Sequence, residues 1–180
     1  PPPRGEPSAP ADLRQRPEPP LADALARPPG VSGERRNGRV TGISLRGFNE
    51  DYVGTTLNGR ELLGMGDNRG VEYDLYPSEI VRGMVVYKTP DATQMTQGIG
   101  GIVDLRTNRP LETERVLAVS ALYEKNDKNS ANPDYDDDGY RFSLTYSDVF
   151  ADDTVGVSFV AAITDSPSQE EQFRAWGYPG

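Results

Sequence analysis

The sequence predicts a small α+β unit followed by three strands of an antiparallel meander. Three observations carry this reading. Residues 1–20 hold eight prolines and almost nothing apolar, so they belong to neither unit. Residues 31–110 alternate short apolar runs with turns. From residue 114 the texture changes to three segments of about ten residues with period-two alternation.

Composition narrows the function before any motif is considered. At about 150 residues per domain, 180 residues make one domain and a fraction. With no cysteine and no histidine, the chain offers no thiol nucleophile, disulfide framework, zinc-ribbon spacing or Ser-His-Asp triad. The net charge of −9 lies in residues 111–180, where acids far outnumber bases, and no basic patch occurs elsewhere. Nucleic acid is therefore not an expected partner. No run of 18 apolar residues suggests a transmembrane helix. The first twenty residues hold no apolar stretch of the kind a signal peptide needs.

Residues 1–20 read as disordered or polyproline II. Leu21–Arg27 offers a short helix with Leu21 and Leu25 four apart, and Pro28-Pro29-Gly30 stops it. Strands are expected at Thr41–Leu45, Tyr52–Leu57, Ile80–Lys88 and Ile102–Thr107, with brief helical pieces at Pro77–Val81 and Asp91–Thr96. Asn58-Gly59 between apolar flanks predicts a type I′ hairpin turn, which needs φ > 0 at both positions. Gly98, Gly100 and Gly101 suit a close approach of backbone to a neighbouring wall. A phosphate loop is the competing reading of that glycine run, but it lacks the Lys-Ser/Thr pair and the following helix.

The three later segments are Arg115–Lys125, Tyr140–Val149 and Thr154–Thr164. In the second, Tyr140, Phe142, Leu144 and Tyr146 alternate with Arg141, Ser143, Thr145 and Ser147. A long acidic loop (Asn126–Gly139) joins the first two segments and a short one (Phe150–Asp153) the last two. Strand length and alternating loops fit an outer-membrane meander. A half-buried soluble sheet gives the same alternation.

The motifs of residues 21–110 resolve that choice. LADALARPPGV (21–31), ISLRGF (43–48), TTLNGREL (55–62), YPSEIVRGMVVYKTPDA (76–92) and GIGGIVDLRTNRP (98–110) resemble the plug domain of TonB-dependent outer-membrane receptors. That family places, in this order, a helix ending in a PGV-like turn, an "IRGF" strand-turn, a "DG/NG" hairpin, an "EVxRGP" strand and a "GGxVNxxTKRP" segment entering the barrel. The wording KTPDA and VDLRT is similar to the subgroup typical of Xanthomonas- and Caulobacter-like bacteria. The resemblance implies an α+β plug domain over 21–113, followed over 114–180 by the first three antiparallel strands of a transmembrane β-barrel. Two departures stand out: Pro28 replaces the usual Leu and should fray the short helix, and no TonB-box-like segment precedes residue 21. Plug and barrel are thus both expected to be incomplete, and three strands cannot by themselves sit in lipid.

The resemblance also implies a function: energy-coupled uptake of a scarce nutrient in the cell outer membrane, with the plug gating the barrel. The expected partners are a small-molecule ligand, outer-membrane lipid and the TonB inner-membrane complex. No catalytic residue, cofactor or metal is expected. A free-standing periplasmic or extracellular β-rich binding module is the alternative.

Ligand residues are expected at the plug apex. Arg46 in the RGF turn resembles the family arginine near that apex. The loops holding Asn49 and Asp51, and Met65, Asp67, Asn68 and Arg69, follow a strand and a hairpin, and exposed loops on a rigid scaffold are where binding concentrates. Tyr76 falls where related receptors carry an aromatic. This mixed set hydrogen-bonds hydroxyls and forms no cationic cluster, which favours an oligosaccharide over a ferric siderophore. The run Asp134-Tyr135-Asp136-Asp137-Asp138-Gly139 opens like a calcium loop, but its twelfth position is Thr145, not Glu.

Overall fold

The computed structural model describes residues 21, 25, 29–36, 39–89, 92, 94, 98–126, 136–167 and 177. The proline-rich segment, Pro28, most of the piece at Asp91–Thr96 and most of the acidic loop lie outside these.

Three sheets follow one another. The first is a hairpin of β1 (Val31–Arg36) and β2 (Arg39–Leu45). The second is mixed, in the order β4-β3-β6-β5, from β3 (Val53–Leu57), β4 (Arg60–Glu61), β5 (Val81–Tyr87) and β6 (Gly101–Thr107). The third is the meander of β7 (Val116–Lys125), β8 (Asp138–Phe150) and β9 (Val155–Asp165). The expected strands are present, with ends moved by one or two residues. Pro77–Val81 is a single 3-10 turn, Ser78–Ile80. The acidic loop is shorter than its composition suggests, because Asp138 and Gly139 pair with Lys125 and Glu124 and belong to β8. β1 carries no periodic signal: it reads VSGERR, with three charges in six residues.

β3 and β6 lie side by side and parallel in the middle of the mixed sheet, and both are buried almost throughout. That is why β6 reads as the near-continuous run Ile102-Val103 before Asp104 and Leu105. The core joins the hairpin to this sheet. Ile43 and Leu45 of β2 bury with Val53, Val81, Val86, Val103 and Leu105, and with Leu21 and Leu25, which are helical as expected. Tyr73 is the largest fully buried side chain, and its hydroxyl lies 2.6 Å from the Thr55 hydroxyl, which meets its need for a partner.

A buried carboxylate fixes the far corner of this sheet. Asp104 accepts the Thr56 hydroxyl at 2.7 Å and the Gly59 amide at 2.8 Å. Arg106 Nε lies 2.5 Å from the other oxygen, close although not aligned as a hydrogen bond. Asn58 and Gly59 take φ of 52° and 81°, the type I′ turn expected. Asn58 also bonds the Thr107 amide and hydroxyl. The hairpin tip is thus tied to β6 where the chain leaves for β7.

The meander has opposite faces of opposite character. Register places Leu117, Val119, Ala121 and Tyr123 beside Tyr146, Leu144, Phe142 and Tyr140, with Phe159, Ala161 and Ile163 beyond. Most of this apolar face is exposed: Leu117 at 65%, Phe142 at 46% and Ile163 at 62%. The other face of β8 carries Arg141, Ser143, Thr145 and Ser147, and it packs on the mixed-sheet unit, with Ser143 at 3% and Ser147 at 1% exposure. Among the described residues the sheet is open at both edges.

Removing the Asp104 carboxylate leaves a buried hydroxyl and amide unpaired beside an uncompensated guanidinium. Asp104→Ala is expected to cost about 1–3 kcal/mol, chiefly from the buried Thr56 hydroxyl left unpaired, read as a lowered midpoint in urea unfolding of the full-length protein; a change below about 0.5 kcal/mol would show that water replaces the carboxylate.

Candidate functional site

Register defines two ends of the plug-like unit. Leu57, Val81 and Thr107 lie at the end from which the chain runs to β7. Val53, Tyr87 and Gly101 lie at the other. The expected ligand residues gather at this second end, except Tyr76.

The RGF turn is a two-residue reversal. Leu45 and Phe48 exchange backbone hydrogen bonds at 3.0 Å, while Arg46 and Gly47 take φ of 57° and 84°. A left-handed Arg is sterically costly, and two contacts hold it. Its amide donates to the Gly30 carbonyl and its guanidinium to the Lys88 carbonyl at 2.9 Å. The guanidinium thus closes the turn onto the end of β5. Beside it, Phe48 and Tyr52 form an edge-to-face pair with centroids 6.2 Å apart, and both are partly exposed. The Gly98–Gly101 segment runs against them: a Cβ at Gly100 would lie 2.8 Å from Phe48 Cβ. The close approach expected of those glycines is therefore present.

The two polar loops meet through a residue that the sequence reading does not single out. Glu50 is 6% exposed. Its carboxylate accepts Asn68 Nδ2 at 2.6 Å and pairs with Arg36 of β1. Two glycines make room for it. Gly42 leaves space at the Glu50 carboxylate, and a Cβ at Gly70 would lie 2.7 Å from its side-chain carbons. Next to it, Asp51 accepts the Arg69 amide at 3.2 Å. Glu72 shapes the rest of the second loop by accepting the Met65 and Gly66 amides. The Met65 amide is the main cause holding the Glu72 carboxyl below its ordinary value, with Gly66 and the charge of Arg36 also contributing. Met65, Asp67 and Arg69 remain exposed, as do Asn49 and Tyr52. Tyr76 is elsewhere, half-buried against the core.

A second constellation lies between the unit and the meander. Arg141 of β8 donates to both Glu79 oxygens, at 2.7 and 2.8 Å, and to the Ser78 hydroxyl at 3.0 Å. The pair is nearly dry, with 16% and 7% of the side chains exposed. Burial pushes the Glu79 carboxyl up, but hydrogen bonds from Arg141 and Ser143 more than offset it, so the net value lies below the ordinary one. In the acidic loop, Asp138 accepts the Tyr123 hydroxyl and Asp137 lies 4.0 Å from Lys125, so both have partners at the strand ends.

The whole arrangement is a compact sheet unit seated on the hydroxyl-bearing face of a meander whose opposite face is apolar, with exposed loops at one end. Residues 9–102 match the TonB-dependent Receptor Plug Domain family, and the chain belongs to that family of outer-membrane receptors and transporters. The match reaches back into the proline-rich segment, beyond the boundary expected at residue 21. No curated protein matches the chain.

Two outcomes are expected here. Gly70→Ala forces the new methyl into Glu50 and should cost about 1–3 kcal/mol. Amide exchange at residues 65–70 should quicken in that variant; unchanged exchange would show that the loop is held without Glu50. The Glu79 carboxyl is harder to protonate folded than unfolded. Its stabilisation is therefore full above the ordinary glutamate value of 4.5 and is lost as pH falls through the lower folded value. Protection factors at residues 77–87, which discount the intrinsic slowing of amide exchange in acid, should fall on acidification in the wild type and stay flat in Glu79→Gln.

Proposed function

We propose that the chain is the plug and opening wall of an energy-coupled outer-membrane receptor of the Xanthomonas- and Caulobacter-like kind, taking up a hydroxyl-rich nutrient. The observation that carries this reading is the inverted meander. Its exposed face is apolar apart from the Arg115–Asp148 pair near one end, and its plug-facing side bears hydroxyl residues around the Glu79–Arg141 ion pair. A soluble sheet buries its apolar face; a lipid-facing strand exposes it. Aromatics at both ends of β8, Tyr140 and Phe150, suit the two interfaces of a bilayer.

Ligand is met at the loop end of the plug. Phe48 and Tyr52 supply flat apolar contact, and Asn49, Asp67 and Arg69 supply exposed donors and acceptors. Arg46 already serves the Lys88 carbonyl, and Arg36 is paired with Glu50. An uncharged oligosaccharide fits this surface better than an anionic ferric siderophore. Energy comes from the TonB inner-membrane complex acting on the plug, so no covalent step or cofactor takes part.

Two measurements on the full-length protein check this. Spin labels at positions 142 and 144 should report oxygen access typical of lipid, and labels at 143 and 145 should not; water access at 142 and 144 would exclude the wall assignment. In ligand titrations against a panel of oligosaccharides and ferric siderophores, Tyr52→Ala and Asp67→Ala should weaken binding by about 1–3 kcal/mol, roughly ten- to hundredfold. Unchanged affinity in both would place recognition on the barrel loops.

A further inference from the structure

The plug touches the described wall in two places that differ in kind. At the exit toward β7 the contacts are several and covalently backed. Asn108 donates to the Ser147 hydroxyl at 2.9 Å. Pro110 and Leu111 press on Gly156 so closely that a Cβ there would lie 2.7 Å from Pro110 Cβ. Whatever the plug does, this side is tethered, because the chain itself continues into β7 within a few residues. The other contact has no covalent support. It is the Arg141 guanidinium on Glu79 and Ser78, at the start of the segment that runs into β5.

We propose that the solute passage opens between residues 77–87 of the plug and the inner face of β8, and that the Glu79–Arg141 pair is its latch. The inference rests on the receptor reading above. Under a pull on the plug, the untethered polar cluster around Glu79 separates before the contacts that the chain itself tethers. What separation uncovers is chemically distinct. The wall behind the latch presents Ser143, Thr145 and Ser147, and cross-strand neighbours on the same face add Ser120, Ser158 and Thr164 beside the apolar Val116, Leu122 and Val160. The hydroxyls can replace water around a sugar. Arg141 is the cation of this face among the described residues of the three strands. Once released from Glu79, it would need new acceptors, and a polyhydroxylated solute brings them. The passage therefore favours uncharged, hydroxyl-rich solutes.

The test uses the full-length protein in the outer membrane of a host strain. Arg141→Glu and Glu79→Arg each place like charges together, and the double swap restores a pair. Each single change should speed amide exchange over residues 77–87 roughly tenfold and make cells sensitive to vancomycin, a hydrophilic solute that the outer membrane excludes. The swap should reverse both effects. Cross-linking Glu79→Cys to Arg141→Cys with a short bis-maleimide should abolish vancomycin entry. Single variants that insert normally, shown by heat-modifiable migration, yet stay resistant and exchange like wild type would overturn the latch alone. Entry that persists after cross-linking would overturn the proposed route. Failure of the wild type to appear as a heat-modifiable outer-membrane barrel would overturn the receptor reading beneath it.

Discussion

Everything in this chain answers to one constraint: β8 turns its apolar side chains outward and its small hydroxyl and charged ones toward the plug. In a soluble sheet that order would leave Leu117, Phe142, Phe159 and Ile163 in water at a cost of about 25 cal/mol for each Å² of apolar surface. The order is stable where lipid covers the apolar face, and it then dictates the plug. A wall of serines and one arginine cannot be covered by a greasy surface without stranding its donors. The plug accordingly meets its donors with the polar Ser78, Glu79 and Asn108, while Pro110 and Leu111 cover Gly156, which has none on its side chain. Its own apolar side chains turn inward, to the core between the β1–β2 hairpin and the mixed sheet.

Within the plug, rigidity comes from buried carboxylates as much as from that core. Asp104 ties the Asn58-Gly59 turn to β6 at one end, and Glu50 ties the Met65–Arg69 loop to β1 at the other. Each sits almost dry with at least two donors, which is the condition under which an ionised carboxyl can be buried at all. Their consequences differ with place. Asp104 holds the end that is anchored to the wall. Glu50 holds loops that must keep their polar groups outward and free, so Asp67 and Arg69 can stay exposed on a loop whose base is fixed.

How much of this was legible depends on how local each cause is. The meander was readable because Tyr140–Ser147 alternates without interruption, and period two is a property of adjacent residues. The Asn58-Gly59 turn was readable for the same reason. β1 was not, because VSGERR shows no alternation, although Asn37-Gly38 just after it repeats the hairpin dipeptide. Glu50 lies between Asn49 and Asp51, both of which drew attention as surface loop residues. Its burial is set by Arg36, Asn68, Gly42 and Gly70, which no local pattern brings together. Tyr76 shows the opposite case, since an aromatic after a turn can face ligand or core, and only packing against the buried cluster places it.

The Arg46 turn shows how the ends of the plug could communicate. Its left-handed backbone is held by Gly30, just ahead of β1, and by Lys88, at the end of β5. Beyond Lys88 the chain runs back along β5 to Ser78 and Glu79, where the wall is gripped. A ligand drawing on the Phe48–Tyr52 surface would load the turn, and through Lys88 the strand that starts at the Glu79–Arg141 pair. β5 is short, seven residues paired to β6 with a register irregularity near Val81, so it is weakest next to that pair. Load applied at the ligand end therefore concentrates where the plug is least tethered. Under the proposed reading, this links the ligand-facing loops to the Glu79–Arg141 pair without requiring the core to repack.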